Sequence, residues 1–232
     1  MIEGRFGQGS DSVPGMDVLR RRVIRRTRSS TEALLWCGTA AAPLFVGTFL
    51  LEGARRADYD PFRHPVSSLA LGPRGWVQTV NFCTAGVLWL AGAVGLTRTD
   101  DQGGHTTSHH VGPILLAAAG VGMLGSGAFV TDPVSGYPPG TPDTLSSYST
   151  AGALHDAFAV PTFLGLPAAA FVFARQFRRH GHRGWAAYSA ASGAGMLAAL
   201  EFANAAFGQR PALVRYGGGC SNGCRSSLGW PG

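Results

Sequence analysis

Five long apolar stretches decide what this chain can fold into: Leu34–Leu51, Val77–Thr97, Val111–Val130, Ala157–Ala174 and Trp185–Phe207. Each is close to the roughly 20 residues a helix needs to cross a bilayer. None contains an arginine or an aspartate, and only the last holds a carboxylate, Glu201, with Asn204 three residues on. Unbroken apolar runs exclude the alternating pattern of membrane barrel strands. Only 14% of residues are charged, against about 25% in an average soluble domain. The expected fold class is all-α: a polytopic transmembrane helix bundle of five spans, with a sixth missing or out of frame at the C-terminal end.

The formal net charge is +6, and every basic residue is an arginine. These arginines stand beside apolar runs, where positive charge sets the orientation of a span. Nucleic acid is therefore not an expected partner. Arg20, Arg21, Arg22, Arg25, Arg26 and Arg28 precede the first stretch, and Arg175, Arg178, Arg179 and Arg183 lie between the fourth and fifth. Both segments are expected in the cytoplasm. The segment from Asp132 to Leu154 has no arginine and is expected outside, as is the loop between the first two stretches. This predicts a multi-pass cell-membrane protein with a cytoplasmic N-terminus. Its partners would be the lipid bilayer, with anionic lipid headgroups at Arg20–Arg28, and a small-molecule or lipid ligand that the sequence does not identify.

Three regions follow. Residues 1–32 are expected to be a disordered, basic N-terminal segment, whose opening "MIEGRFGQGSDSVPG" reads as a linker or an upstream scar before a natural start at Met16. Residues 33–210 form the bundle. Residues 211–232, rich in glycine and serine, are expected to be a disordered tail. Cys220 and Cys224 in that tail lack a second ligand pair for a metal. Cys37 and Cys83 are expected as small packing residues within spans. His105, His109 and His110, in "GGHTTSHH", are expected to be solvated. The Gly- and Ala-rich third stretch is expected to be the central packed helix. Pro43, Pro161 and Pro167 are expected to kink their helices, and Tyr59, Trp76, Tyr148 and Trp185 to anchor at interfaces.

The loop "YDPFRHPVSSLALGPRGW", Tyr59–Trp76, is richer in chemistry than a connector needs. With Arg55 and Arg56 just before it, it sets Arg55, Arg56, Arg63 and Arg74 against Glu52, Asp58 and Asp60, charges either paired locally or kept for a task. On the expected topology Asp60, His64, Ser67 and Ser68 of this loop meet Asp132 at the end of the third span. His155 and Asp156, opening the fourth, and Glu201 near the end of the fifth reach the same face. Ionisable groups at membrane depth cost roughly 2.5–3.5 kcal/mol each on insertion scales and face a cavity or a partner.

Three readings compete for this constellation. In the first, His64, His155 and Asp132 hold a divalent metal such as zinc, with a spare carboxylate as general base, and the protein is a metal-assisted hydrolase of a lipid-like substrate. No ligand pair has a diagnostic spacing. In the second, Ser67 or Ser68 is a nucleophile activated by a histidine, although neither serine has nucleophile-elbow glycines. In the third, the cluster is a structural network in a non-enzymatic membrane protein, whether scaffold, sensor or transporter.

"YDPFRHPVSSLALGPRGWVQTVNF" after the first span, "FVTDP" closing the third and "HDAFAVPTFLGLP" opening the fourth resemble the bacterial integral membrane family called domain of unknown function 998. The resemblance covers roughly Leu34 to Arg210. It implies a bundle of about six helices and leaves the biochemical role unassigned. Asp60, His64, Pro65, Ser67, Gly75, Asp132, Pro133, His155 and Asp156 stand at its motif positions. The chain departs from the family after "GQR", where a final span is expected.

Overall fold

The computed structural model describes residues 14–100, 110–145 and 147–206. Among them the chain is helical: α1 (Pro14–Ala54), α2 (Gly75–Asp100), α3 (Val111–Ala128), α4 (Thr150–Arg179) and α5 (Arg183–Ala206). A short 3-10 turn, Val66–Ala70, lies in the α1–α2 loop, and no strand forms among the described residues. Residues 1–13, the histidines His105 and His109, and the tail with Cys220 and Cys224 lie outside the described residues.

Among the described residues, four helical segments are long and apolar enough to cross a membrane: Thr27–Ala54, Gly75–Thr99, Val111–Ala128 and Thr150–Arg179. The expected count of five spans is thus matched by four such segments among the described residues. The fifth apolar stretch does form a helix, α5. However, it is built mainly of alanine, glycine and serine and carries Glu201, so each turn offers little apolar area to lipid. Helix α1 starts at Pro14, within the stretch read from the sequence as the basic N-terminal segment. Proline is favoured in a first helical turn, and the arginine-rich stretch that follows contains no later proline or glycine to stop a helix.

The helices pack in chain order, α1 on α2, α2 on α3, α3 on α4 and α4 on α5, and other helix pairs touch only marginally. α3 is thus flanked on both sides. Lipid supplies no hydrophobic force between helices, so association depends on close backbone approach and polar links. Glycines provide the first. A Cβ on Gly92 in α2 would lie 2.6 Å from the Gly38 Cα of α1, and one on Gly120 in α3 would lie 2.9 Å from the Gly86 carbonyl oxygen of α2.

Side-chain hydrogen bonds provide the second. Thr162 of α4 donates to the Ala119 carbonyl of α3 (3.0 Å), and Asn81 of α2 donates to the Phe45 carbonyl of α1 (3.1 Å). Ala41, Phe82, Ala85, Trp89, Ala119 and Met123 fill the interior. Trp36, Leu50, Val87, Ile114, Phe163 and Phe202 point outward instead, the distribution a surface facing hydrocarbon requires.

Candidate functional site

The α1–α2 loop and the α3–α4 loop (129–149) lie at the same end of this antiparallel row and form a joint cap. The hub is Glu52 in the last turn of α1, whose side chain is only 3% exposed. A buried carboxylate needs paired donors, and two arginines supply them. Arg56 reaches it at 3.0 Å through Nε, while Arg74 grips both oxygens at 2.9 and 2.8 Å. The ion pair also raises the Arg74 pKa, chiefly through the hydrogen bond to Glu52.

Arg56 spends its remaining nitrogens on neighbours far along the chain. Its Nη2 donates to the Leu69 carbonyl (2.8 Å), and its Nη1 to the Leu71 carbonyl and the Tyr137 hydroxyl (both 3.0 Å). One planar guanidinium therefore ties α1 to the 3-10 turn and to the α3–α4 loop, a geometry an ammonium would not reproduce. Arg63 adds an exposed pair with Asp143 at 2.8 Å.

His64 lies beneath. The residue is 6% exposed, and its ring packs 5.0 Å from Tyr137 and 5.7 Å from Tyr59. The Asp60 backbone N–H donates to its Nδ1 at 2.9 Å. Nδ1 must then carry the lone pair, which puts the proton of the neutral ring on Nε2; the Ser135 backbone is its other polar neighbour. Burial first, and then the charge of Arg63, lower the imidazole pKa below its usual 6.5. Tyr59, expected as an interfacial anchor, is a half-buried member of this cluster, and its hydroxyl donates to the His64 carbonyl at 3.2 Å. Burial and the adjacent Tyr137 push it up to about 12.

The sequence candidates separate into groups. Asp60 builds its own turn: its carboxylate accepts from Phe62 N–H (2.8 Å), and its carbonyl from Arg63 N–H (3.1 Å) and His64 N–H (2.8 Å). Ser67 is half-buried in the 3-10 turn, while Ser68 beside it is fully buried and its Oγ has no hydrogen-bond partner. No hydrogen bond joins either serine to a histidine among the described residues, so the pairing a serine nucleophile needs is not assembled.

Asp132, His155 and Asp156 gather separately at the α3–α4 corner. Asp132 accepts from Ser149 N–H at 2.9 Å, and the Ser149 hydroxyl accepts from Gly152 N–H at 2.9 Å. Together they cap α4, where a negative charge suits the positive end of the helix. A Cβ on Gly152 would collide with the Asp132 carboxylate. The His155 Nδ1 lies 2.9 Å from the carbonyls of both Ser126 and Phe129. Carbonyls only accept, so that nitrogen is the donor. Asp156 is half-buried beside Asp132 and His155 and takes a hydrogen bond from Tyr148. Glu201 is exposed on α5 and joins neither group.

The expected metal set of His64, His155 and Asp132 does not fit this geometry. No three His, Cys, Asp or Glu side chains come together to hold an ion among the described residues. The lone pair of His64 is already taken by a backbone N–H. Sequence reasoning missed Tyr137 and Asp143 and counted Glu52 only as one loop charge among several. The "SGYPPG" turn marks where Tyr137 is presented, but nothing in it names Arg56 as the partner.

Four apolar helices among the described residues, with the polar loops docked at one end, make a helical bundle compatible with a multi-pass membrane protein. The chain belongs to the family described as Protein of unknown function (DUF998), whose model matches residues 39–218. No curated protein and no solved structure matches it.

Proposed function

We propose that this is a non-enzymatic multi-pass protein of the cell membrane in which the polar cap is a structural lock. The observation that carries this reading is the commitment of Arg56, whose three side-chain nitrogens are all spent on Glu52, the carbonyls of Leu69 and Leu71, and the Tyr137 hydroxyl. A catalytic metal site keeps a position open for water or substrate. Here Asp60, His64 and Asp132 direct their polar atoms at backbone groups instead. The arginine distribution supports an outward-facing cap with the N-terminus in the cytoplasm. In that place the lock would hold two loops together over the ends of α1 to α4, leaving the helix flanks for lipid or for partner helices.

Metal content of the detergent-purified protein tests this reading against metal-assisted hydrolysis of a lipid-like substrate. Elemental mass spectrometry would compare the native chain with folded His64→Ala and His155→Ala variants. The lock predicts no stoichiometric metal in any of them and lower unfolding temperatures in both variants. About one divalent ion per chain, lost in both variants, would overturn it.

A further inference from the structure

At the end opposite the cap, α4 and α5 are joined by a tight turn in which Gly181 adopts φ 80°. A cavity of about 610 Å³ opens between them, within the roughly 300–1,000 Å³ typical of small-ligand sites. Arg175, Arg178 and Arg183 line it together with Phe171 and four alanines. No carboxylate stands within ion-pair distance of these arginines among the described residues, where the three ion pairs all belong to Glu52 and Asp143. Three guanidinium groups facing an apolar wall are complementary to an amphiphile with a negative head.

The surrounding side chains suit a membrane interface at this level. Trp185 and Tyr188 are 62% and 66% exposed and pack edge to face at 5.9 Å, with Phe177 against Trp185 at 6.3 Å. Exposed aromatic rings of this kind favour the headgroup region. On the topology proposed above from the arginine distribution, on which this inference rests, the same end faces the cytoplasmic leaflet, the leaflet that carries anionic lipid.

We infer that the α4–α5 cleft is a binding site for one anionic phospholipid, the phosphate held by Arg175, Arg178 and Arg183 and the acyl chains laid along Phe171 and the alanine wall. This site is separate from the basic run Arg20–Arg28, which belongs to α1. Arginine suits the role, because its planar fork meets two phosphate oxygens at once.

The test uses the full-length protein in neutral detergent, with phosphatidylglycerol, phosphatidylcholine or inorganic phosphate added. Bound lipid is read by native mass spectrometry and by unfolding temperature. Phosphatidylglycerol is expected to bind one per chain and to raise the unfolding temperature, while the other two probes do neither. Combining Arg178→Gln with Arg183→Gln should weaken binding about thirtyfold. Ala187→Phe, which fills the cavity without altering charge, should weaken it as well, and Arg28→Gln should leave it unchanged. Equal binding of phosphatidylcholine would overturn the inference, as would phosphate reproducing the whole effect. So would loss of binding in Arg28→Gln with retention in the cleft variants, which would move the lipid to the N-terminal run.

Discussion

Arg56 and Tyr137, 81 residues apart in the chain, meet at 3.0 Å between guanidinium and phenol hydroxyl. Through that contact the exit of α1 is fastened to the loop that enters α4. Glu52 and the carbonyls of Leu69 and Leu71 complete the set around the same guanidinium. The contact makes the cap one unit rather than two neighbouring loops, and the predictions begin there.

Replacing Arg56 by Gln should strip Glu52 of one cation and leave two part-buried carbonyls short of a donor. Removing one partner of a buried pair typically costs about 3–5 kcal/mol. The part-exposed Arg74 still grips Glu52, so the expected loss lies near the lower figure. Reversible unfolding in mixed micelles measures it. A loss below about 1 kcal/mol, the worth of a surface pair, would show that Arg56 is not the tie described.

Ser68→Ala separates the lock from a serine nucleophile. The buried Ser68 hydroxyl has no hydrogen-bond partner, and an unsatisfied buried polar group costs about 1–3 kcal/mol. The alanine variant should therefore be as stable as the native chain or more so, by up to about 1 kcal/mol. A clear drop in unfolding temperature would mean that the hydroxyl is satisfied in solution.

Acidification should loosen the cap. With its folded-state pKa held below 6.5, His64 refuses protons that the unfolded chain accepts. Stability present above about pH 6.5 is then lost as pH falls toward the folded-state pKa. The unfolding temperature should decline as pH falls below about 6.5. His64→Asn, which retains an acceptor for the Asp60 N–H and does not titrate, should flatten the decline. An unchanged slope in that variant would assign the effect to another group.

Two glycine substitutions on different helices should behave in opposite ways. Gly120→Ala sets a methyl 2.9 Å from the Gly86 carbonyl oxygen, so α2 and α3 must separate. Overpacking of this kind costs roughly 1–3 kcal/mol. Gly195→Ala on α5 meets nothing within 4 Å and should be neutral or gain about 0.5–1 kcal/mol from helix propensity. Equal effects at the two sites would contradict the close α2–α3 contact.

The helices were legible because each contains a long apolar run, and the glycines of α3 announced a helix packed from both sides. The Tyr59–Trp76 loop also stood out through its density of charge. What could not be read was who pairs with whom. Glu52 looks like one of three acids near four arginines, and only the fold shows that Arg56 and Arg74 converge on it while Asp60 turns back on its own backbone. Tyr137 carries no charge and sits in a proline- and glycine-rich turn, so nothing local marks it as a partner for residue 56. The His64–His155–Asp132 grouping is not gathered at one point, for a related reason. All three reach the same end of the row, but each is held by backbone groups of its own loop or helix corner. Sharing an end of the bundle is a far weaker condition than sharing a coordination sphere.

The central claim, that the cap is a lock joining the two loops, is tested most directly by a double-mutant cycle on Arg56→Gln and Tyr137→Phe, read as unfolding free energy. The two groups touch, so the lock predicts a coupling between about 0.5 and 3 kcal/mol, with the double variant less destabilised than the sum of the singles. Additive losses, with coupling indistinguishable from zero, would contradict the account and separate the two loops energetically.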